Sequence, residues 1–232
     1  MALPLVLLPG FMLDETLWNE TVAALAWEAP VQCLRLDPGT TMEAIADGIA
    51  AAAPERFVLV GFSLGGYVAR AIAARHPGQV AALILVGTSL RGDTPAQARA
   101  MQGAVDAARA GSFRGLSTHA IAGSLHPDHR HDPQLLARIK AMGDGLGREA
   151  LVVQTNLQRE GIAAGSLTCP TLVIAAAQDE LRSAEEAREL AAAIPGAALV
   201  TLERSGHMLP LEQPAALARA ITAWVRTRDL EG

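Results

Sequence analysis

The sequence predicts an α/β fold: a doubly wound, six-stranded, mainly parallel sheet between helical layers, interrupted once by an inserted helical cap. Three observations predict it. Six short apolar runs are continuous rather than alternating, which is how strands covered on both faces read. Segments of helical period separate them, giving βαβαβαβ, then a long helical stretch, then βαβα. The chain has 232 residues, half of them hydrophobic, enough for one large core.

The first run, Leu5–Leu8, is cut by Pro4 on one side and ended by Pro9-Gly10 on the other. No basic stretch precedes it, so it reads as a buried strand and not as a secretory leader, and a cytoplasmic protein is expected. Val31–Leu36 is the second strand. Thr40-Thr-Met-Glu43 then fits a capping box, in which the threonine bonds an orphan amide and the glutamate reaches back. Phe57–Gly61 is the third strand. It leads through Phe62-Ser63-Leu64-Gly65-Gly66 into a helix over Tyr67–Arg75, which His76-Pro77-Gly78 stops. Ala82–Val86 is the fourth strand.

Residues 89–166 hold no convincing strand pattern but three or four helical stretches, roughly 94–110, 113–122, 132–142 and 147–159. An insertion between parallel strands lies above their carboxyl ends, where open α/β sheets bind ligands. The alternation then resumes with Thr171–Ala175. A helix follows, opened by Ser183-Ala-Glu-Glu186 and stopped by Ile194-Pro195-Gly196; next come the strand Ala198–Leu202 and a last helix from about Pro214 to Arg226. Leu217, Ile221, Trp224 and Val225 share one face of that helix and predict its packing on the sheet. The expected organisation is a core of 1–88 and 167–232 carrying a cap of 89–166.

Composition excludes several functions. A net charge of −5 argues against a nucleic-acid partner. No apolar run approaches the ~20 residues of a spanning helix, so no membrane role is expected. Cys33 and Cys169 have neither metal spacing nor a disulfide pattern and read as small buried thiols. His126-Pro-Asp-His-Arg-His131 sits in a proline-broken polar turn, and no metal is expected there. Gly143-Asp-Gly-Leu-Gly147 follows a helix and not a strand, so no dinucleotide or other cofactor is expected. Only 89–166 is net basic, with nine basic and seven acidic side chains, which favours an acidic or carrier-bound substrate.

Gly61-x-Ser63-x-Gly65 between a strand and a helix is the pattern of a nucleophile elbow. A serine on so sharp a turn leaves no room for side chains two positions away, hence the glycines. A serine hydroxyl needs a base, and the base needs an orienting acid. His207 is the candidate base, because Arg204-Ser-Gly-His-Met-Leu-Pro210 follows the last strand and opens at the same sheet edge as Ser63. Asp179, just past Thr171–Ala175, is the candidate acid, with Glu180 its nearest rival. His76 reads as a helix-terminating residue.

Leu7-Leu-Pro-Gly-Phe11, Leu36-Asp-Pro-Gly39, Gly61–Gly66, Cys169-Pro-Thr-Leu-Val173, Gln178-Asp179 and Ser205-Gly-His207…Glu212-Gln-Pro214 stand in the order and spacing of the α/β-hydrolase superfamily, which the chain resembles over nearly its full length. Within it, the chain is similar to short carboxylesterases, including the pimeloyl-carrier-protein methyl ester esterases. Pro9 stands where that superfamily usually carries a histidine, and Ala176 where its acid turn carries a glycine. The resemblance implies an oxyanion hole made by the backbone amides of Phe11 and Leu64. Met12, Leu13 and Trp18 are expected to line the substrate pocket. The expected activity is hydrolysis of a small-molecule carboxylic ester or thioester through an acyl-enzyme. Other chemistry on the same triad (C–C bond hydrolysis, elimination, perhydrolysis) and a non-catalytic ligand-binding receptor are the alternatives.

Overall fold

The structure, a computed structural model, describes residues 2–37, 39–113, 115–161, 164–228 and 230. Pro38 of the Leu36–Gly39 motif and Arg114 of the expected 113–122 helix lie outside the described residues. Among the described residues six strands form one parallel sheet: β1 (Leu5–Leu8), β2 (Val31–Cys33), β3 (Phe57–Phe62), β4 (Val80–Val86), β5 (Thr171–Ala176) and β6 (Ala198–Leu202), in the spatial order β2-β1-β3-β4-β5-β6. β1, β3, β4 and β5 are buried along their whole length, which is why their sequences are continuously apolar.

The two edge strands depart from the expectation of six doubly covered strands. β2 is half-buried and shorter than Val31–Leu36, and β6 alternates between half-buried and exposed positions. Each has a single neighbour. β2 pairs with β1 only from Leu5↔Val31 to Leu7↔Cys33, with one further bond from the Leu34 amide to the Leu7 carbonyl.

The helices are α1 (Asn19–Ala24), α2 (Met42–Ala52), α3 (Leu64–Arg75), α4 (Pro95–Ala107), α5 (Thr118–Gly123), α6 (Pro133–Asn156), α7 (Ala184–Ala193), α8 (Leu209–Glu212) and α9 (Pro214–Arg226). Side chains of period two divide the sheet into two faces. Val6, Leu8, Leu59, Leu85 and Val173 pack with Ile45, Ile72 and Leu190 of α2, α3 and α7. Leu5, Leu7, Val60, Ile84 and Ile174 pack with Trp18 and with Leu217 and Ile221 of α9. The chain steps one way from β1 to β2, then the other way through β3 to β6. Right-handed crossovers put connections of opposite sense on opposite faces, so winding reverses between β1 and β3.

Caps are local chemistry. At α7 the Ser183 hydroxyl accepts from the Glu186 amide at 3.2 Å and the Glu186 carboxylate accepts from the Ser183 amide at 2.7 Å, the expected box. At α2 the cap is Thr41 and not Thr40: its hydroxyl accepts from the Ala44 amide. The expected pairing of Thr40 with Glu43 is corrected by one residue, because Met42 is the first helical position and turns its side chain into the core.

Between β4 and β5 the chain forms α4, α5 and α6, with α6 packed on both others. Gly147 breaks the α6 backbone at φ 82°, the point that separates the expected 132–142 and 147–159 stretches. Val105, Ala108 and Leu151 of this segment close a small apolar cluster around Met12. Cys33 and Cys169 are free and half-buried, and burial pushes both thiols up. Among the described residues no helix is long and apolar enough to cross a membrane.

Candidate active site

β3 ends at Phe62 and α3 begins at Leu64, so Ser63 alone makes the turn between them. It does so at φ 50°, ψ −114°, a conformation that costs a non-glycine residue about 1–3 kcal/mol. The surrounding glycines are there for space. A Cβ on Gly61 would lie 2.3 Å from the Gly65 carbonyl oxygen, and one on Gly65 would lie 2.4 Å from that of Pro9 and 2.7 Å from that of Leu8. The elbow is therefore pressed against the end of β1, at the point where winding reverses. The Ser63 amide, donating to the Val86 carbonyl at 2.9 Å, ties it to β4 as well.

His207 follows β6. Its backbone amide donates to the Ser124 carbonyl at 2.7 Å, and its ring lies 5.1 Å from the Phe62 ring, centroid to centroid. The imidazole Nε2 is 2.9 Å from Ser63 Oγ, and Nδ1 is 2.7 Å from Asp179 Oδ2. The Asp179 carboxylate is fully buried and the imidazole nearly so. Asp179 Oδ1 accepts from the Leu181 and Arg182 amides, each at 2.8 Å. A carboxylate only accepts, so Nδ1 carries the proton and Nε2 faces the hydroxyl as an acceptor. The arrangement can take a proton from Ser63 and stabilise the imidazolium that results. Glu180, the rival acid, is mostly exposed and pairs with Arg130 at 2.8 Å.

The structure thus brings Ser63, His207 and Asp179 within hydrogen-bond reach in that order. Phe11 and Leu64, the expected oxyanion donors, line the same cavity. The Leu64 amide is in the first turn of α3, where amides have no intrahelical partner. The cavity measures about 390 Å³. Its apolar wall comes from Phe11, Leu13, Met101, Leu116, Ile121 and Met208; Asp93, Arg159 and Arg182 give it a charged end. Of the three expected wall residues, Leu13 is present and Met12 and Trp18 are not. Both are fully buried: Met12 inside the cluster with Val105 and Leu151, Trp18 in the core beneath the sheet. A chain leaving a strand end alternates its side chains, and Met12 at φ 53° turns its own away from the cavity that Phe11 and Leu13 face.

Sequence reasoning missed the roles of Gln154, Glu212, Arg159 and Arg182 around this site. The Met12 amide donates to Gln154 Oε1 of α6 at 2.8 Å, in a buried pair that fixes the loop after β1. Glu212, quoted only as part of a motif, has a fully buried carboxylate. It accepts from the His126 amide at 2.7 Å and the Ser205 hydroxyl at 3.2 Å and faces His129 Nδ1 at 2.9 Å, joining the His207 loop to the helical segment. Arg182 had its place three residues past Asp179 as a signal and Glu212 its motif; Gln154 and Arg159 had none. His126 Nδ1 accepts from the Asp128 amide at 3.2 Å and His129 Nδ1 faces Glu212, so these two histidines make turn and loop contacts.

The α/β hydrolase fold family matches residues 43–214. The chain is 32% identical over 203 residues to a pimeloyl-[acyl-carrier protein] methyl ester esterase of Chromobacterium violaceum, covering 82% of this chain and 78% of that protein. It is 29% identical over 254 residues to a protein of the same name from Aromatoleum aromaticum, covering 96% and 98%. Among solved structures it is similar to a thermophilic esterase from Thermogutta terrifontis, determined with malate bound, at a TM-score of 0.83 and 28% identity over 98% of this chain and 90% of that one. An enol-lactonase from Burkholderia xenovorans shares the fold at a TM-score of 0.81 and 24% identity, over 97% and 92%.

Proposed function

The chain belongs to the α/β-hydrolase fold family, an enzyme family with esterase members, and within it we propose a serine esterase that cleaves a carboxylic ester or thioester of a small or medium acyl substrate. One observation carries this reading: Ser63 Oγ, His207 and the buried Asp179 stand in a single hydrogen-bonded line at 2.9 and 2.7 Å.

In this mechanism His207 Nε2 takes the Ser63 proton as Oγ attacks the ester carbonyl. The tetrahedral oxyanion rests on the amides of Leu64 and Phe11. The imidazolium, held by Asp179, then protonates the leaving alcohol or thiol. Water, deprotonated by the same nitrogen, releases the acid and restores Ser63. The strained Ser63 backbone favours this role, since strain of this kind clusters at reacting groups. Residues 89–166 act as a cap over the cavity, and 1–88 with 167–232 form the catalytic core. A cytoplasmic setting goes with this reading, supported by the two free thiols.

The test is labelling by a fluorophosphonate together with hydrolysis of short p-nitrophenyl esters. Wild-type protein is expected to label at Ser63 and turn over; Ser63→Ala loses the label and at least ~10⁴-fold of kcat. A folded wild-type protein with neither label nor turnover would refute the proposal.

A further inference from the structure

The charged end of the Ser63 cavity has no part in the mechanism above. Arg159 follows α6 and is 8% exposed; Arg182 follows the acid turn, and its side chain is 10% exposed. Both bond Asp93, which stands after β4: Arg159 through Nη1 to Oδ2, and Arg182 through Nη2 to Oδ1 at 3.1 Å. Arg182 Nη1 lies 3.6 Å from Glu186, a carboxylate already used to cap α7. Arg70, buried beside Tyr67, keeps its charge although burial lowers it to about 10. Arg70 stands behind the cavity wall and donates to the Ser89 carbonyl; among the described residues the carboxylates that meet Arg159 and Arg182 are Asp93 and Glu186.

Arg70 and Arg159 each bury an Nε without a hydrogen-bond partner among the described residues, and of the two only Arg159 lines the cavity. The Arg159 Nη1 is spent on Asp93, and among the described residues its Nη2 faces only the Met101 sulfur, at 3.8 Å. Its Nε is buried and has no hydrogen-bond partner among the described residues. A buried donor of this kind is rare and calls for an acceptor. Nε and Nη2 form one edge of the guanidinium, the edge that takes a carboxylate through two parallel bonds. Asp93 holds the opposite corner, and the Phe11 ring lies 6.0 Å from Cζ, so the edge is oriented before anything binds. Arg159, Ser63 and His207 line one cavity.

We infer that the Nε–Nη2 edge of Arg159, braced by Asp93 and Arg182, is an anion subsite, and that the preferred substrates are monoesters of dicarboxylic acids, their ester carbonyl at Ser63 and their free carboxylate on Arg159. The inference rests on the esterase reading for the chemistry at Ser63 and on the arginine cluster alone for the anion. It separates this chain from an esterase that selects by hydrophobic fit. A neutral acyl chain would leave the guanidinium edge buried and unpaired, and the enzyme discriminates against it on that account.

Wild-type protein is assayed by acid release on monomethyl succinate, glutarate and adipate, each beside the methyl ester of the unbranched monocarboxylic acid of equal length. The charged ester is expected to exceed its neutral partner by about 10-fold or more in kcat/KM at the best length. Arg159→Met brings that ratio to about one and Arg159→Lys leaves it in between. Arg91→Gln, whose exposed side chain pairs with Glu189 outside the cavity, keeps the wild-type ratio. Adipate inhibits competitively and adipamide does not; both wild-type measurements decide the matter should Arg159→Met fail to fold. A wild-type ratio of one or less at every length, or a ratio unchanged in folded Arg159→Met, overturns the subsite. Fluorophosphonate labelling separates the two readings. Label at Ser63 with a flat ratio leaves the esterase standing and removes the subsite. No label, but protection from thermal unfolding by adipate that Arg159→Met abolishes, does the reverse.

Discussion

Replacing Asp179 by asparagine changes one atom and tests the whole line of proton transfer. Both oxygens of the carboxylate are occupied: Oδ1 accepts from the amides of Leu181 and Arg182, and Oδ2 from His207 Nδ1. An asparagine must give one of these positions to its NH₂ group. Turned toward the two backbone amides, it leaves two buried donors unpaired, at about 1–3 kcal/mol each. Turned toward His207 it leaves neither unpaired, so the carbonyl oxygen keeps the amides and the NH₂ group faces Nδ1. That margin of at least ~2 kcal/mol favours the second orientation by roughly 30-fold. Nδ1 must then accept, the ring proton moves to Nε2, and Nε2 can no longer take the Ser63 proton. The expected loss in kcat is about 10⁴-fold, the size of effect that the same substitution has in the serine-protease triad. The assay is p-nitrophenyl butyrate hydrolysis, with Ser63→Ala as the floor and circular dichroism to establish folding. Glu180→Gln, which alters the exposed carboxylate paired with Arg130, is expected to stay within about twofold of wild type, since a surface pair contributes little. Asp179→Asn within tenfold of wild-type kcat would refute the reasoning, because the roughly 30-fold orientation preference by itself requires a larger loss.

Gln154→Leu removes the acceptor of a buried amide and should lower stability by about 1–3 kcal/mol, seen as a fall in melting temperature of a few degrees per kcal/mol. Gln154→Glu retains an acceptor oxygen and should keep more of the kcat, because the loop that presents the Phe11 amide stays tied to α6. Gly65→Ala places a Cβ against two backbone carbonyls that cannot move aside, so kcat/KM should fall by ~100-fold or the protein should fail to fold, read by turnover and by soluble yield. Asp47 accepts from Arg75 and His76, which hold its carboxyl down at about 2. A carboxyl depressed in the folded state adds stability above its unfolded value of 3.8, and that stability is lost as pH falls from there toward 2. Asp47→Asn should therefore flatten the acid limb of a denaturation series between about pH 4 and 2 relative to wild type.

Much of the fold was legible because the signals are local. A strand covered by helices on both faces must be apolar at every position, so β1, β3, β4 and β5 announce themselves. Where a strand has one neighbour the requirement lapses, and β2 came out shorter than its apolar run. Capping chemistry acts within four residues, which is why Ser183 and Glu186 could be read directly and why Thr41 was missed by one. Met12 and Trp18 were misplaced because the direction a loop side chain takes depends on what packs above and below it.

The linear order of Gly61-x-Ser63-x-Gly65, Asp179 and His207, each just beyond a strand, is enough to determine which residues meet. Parallel strands deliver their carboxyl ends to one edge whatever their separation in the chain. The charged end of the cavity had no such rule. Asp93, Arg159 and Arg182 come from three separate loops, and no periodicity or spacing links them. Only the packing of the helical segment over the sheet brings Arg159 down to Asp93 and buries its Nε. Chemistry placed by strand ends is written in the sequence; recognition placed by loops meeting across a cavity is decided by tertiary structure.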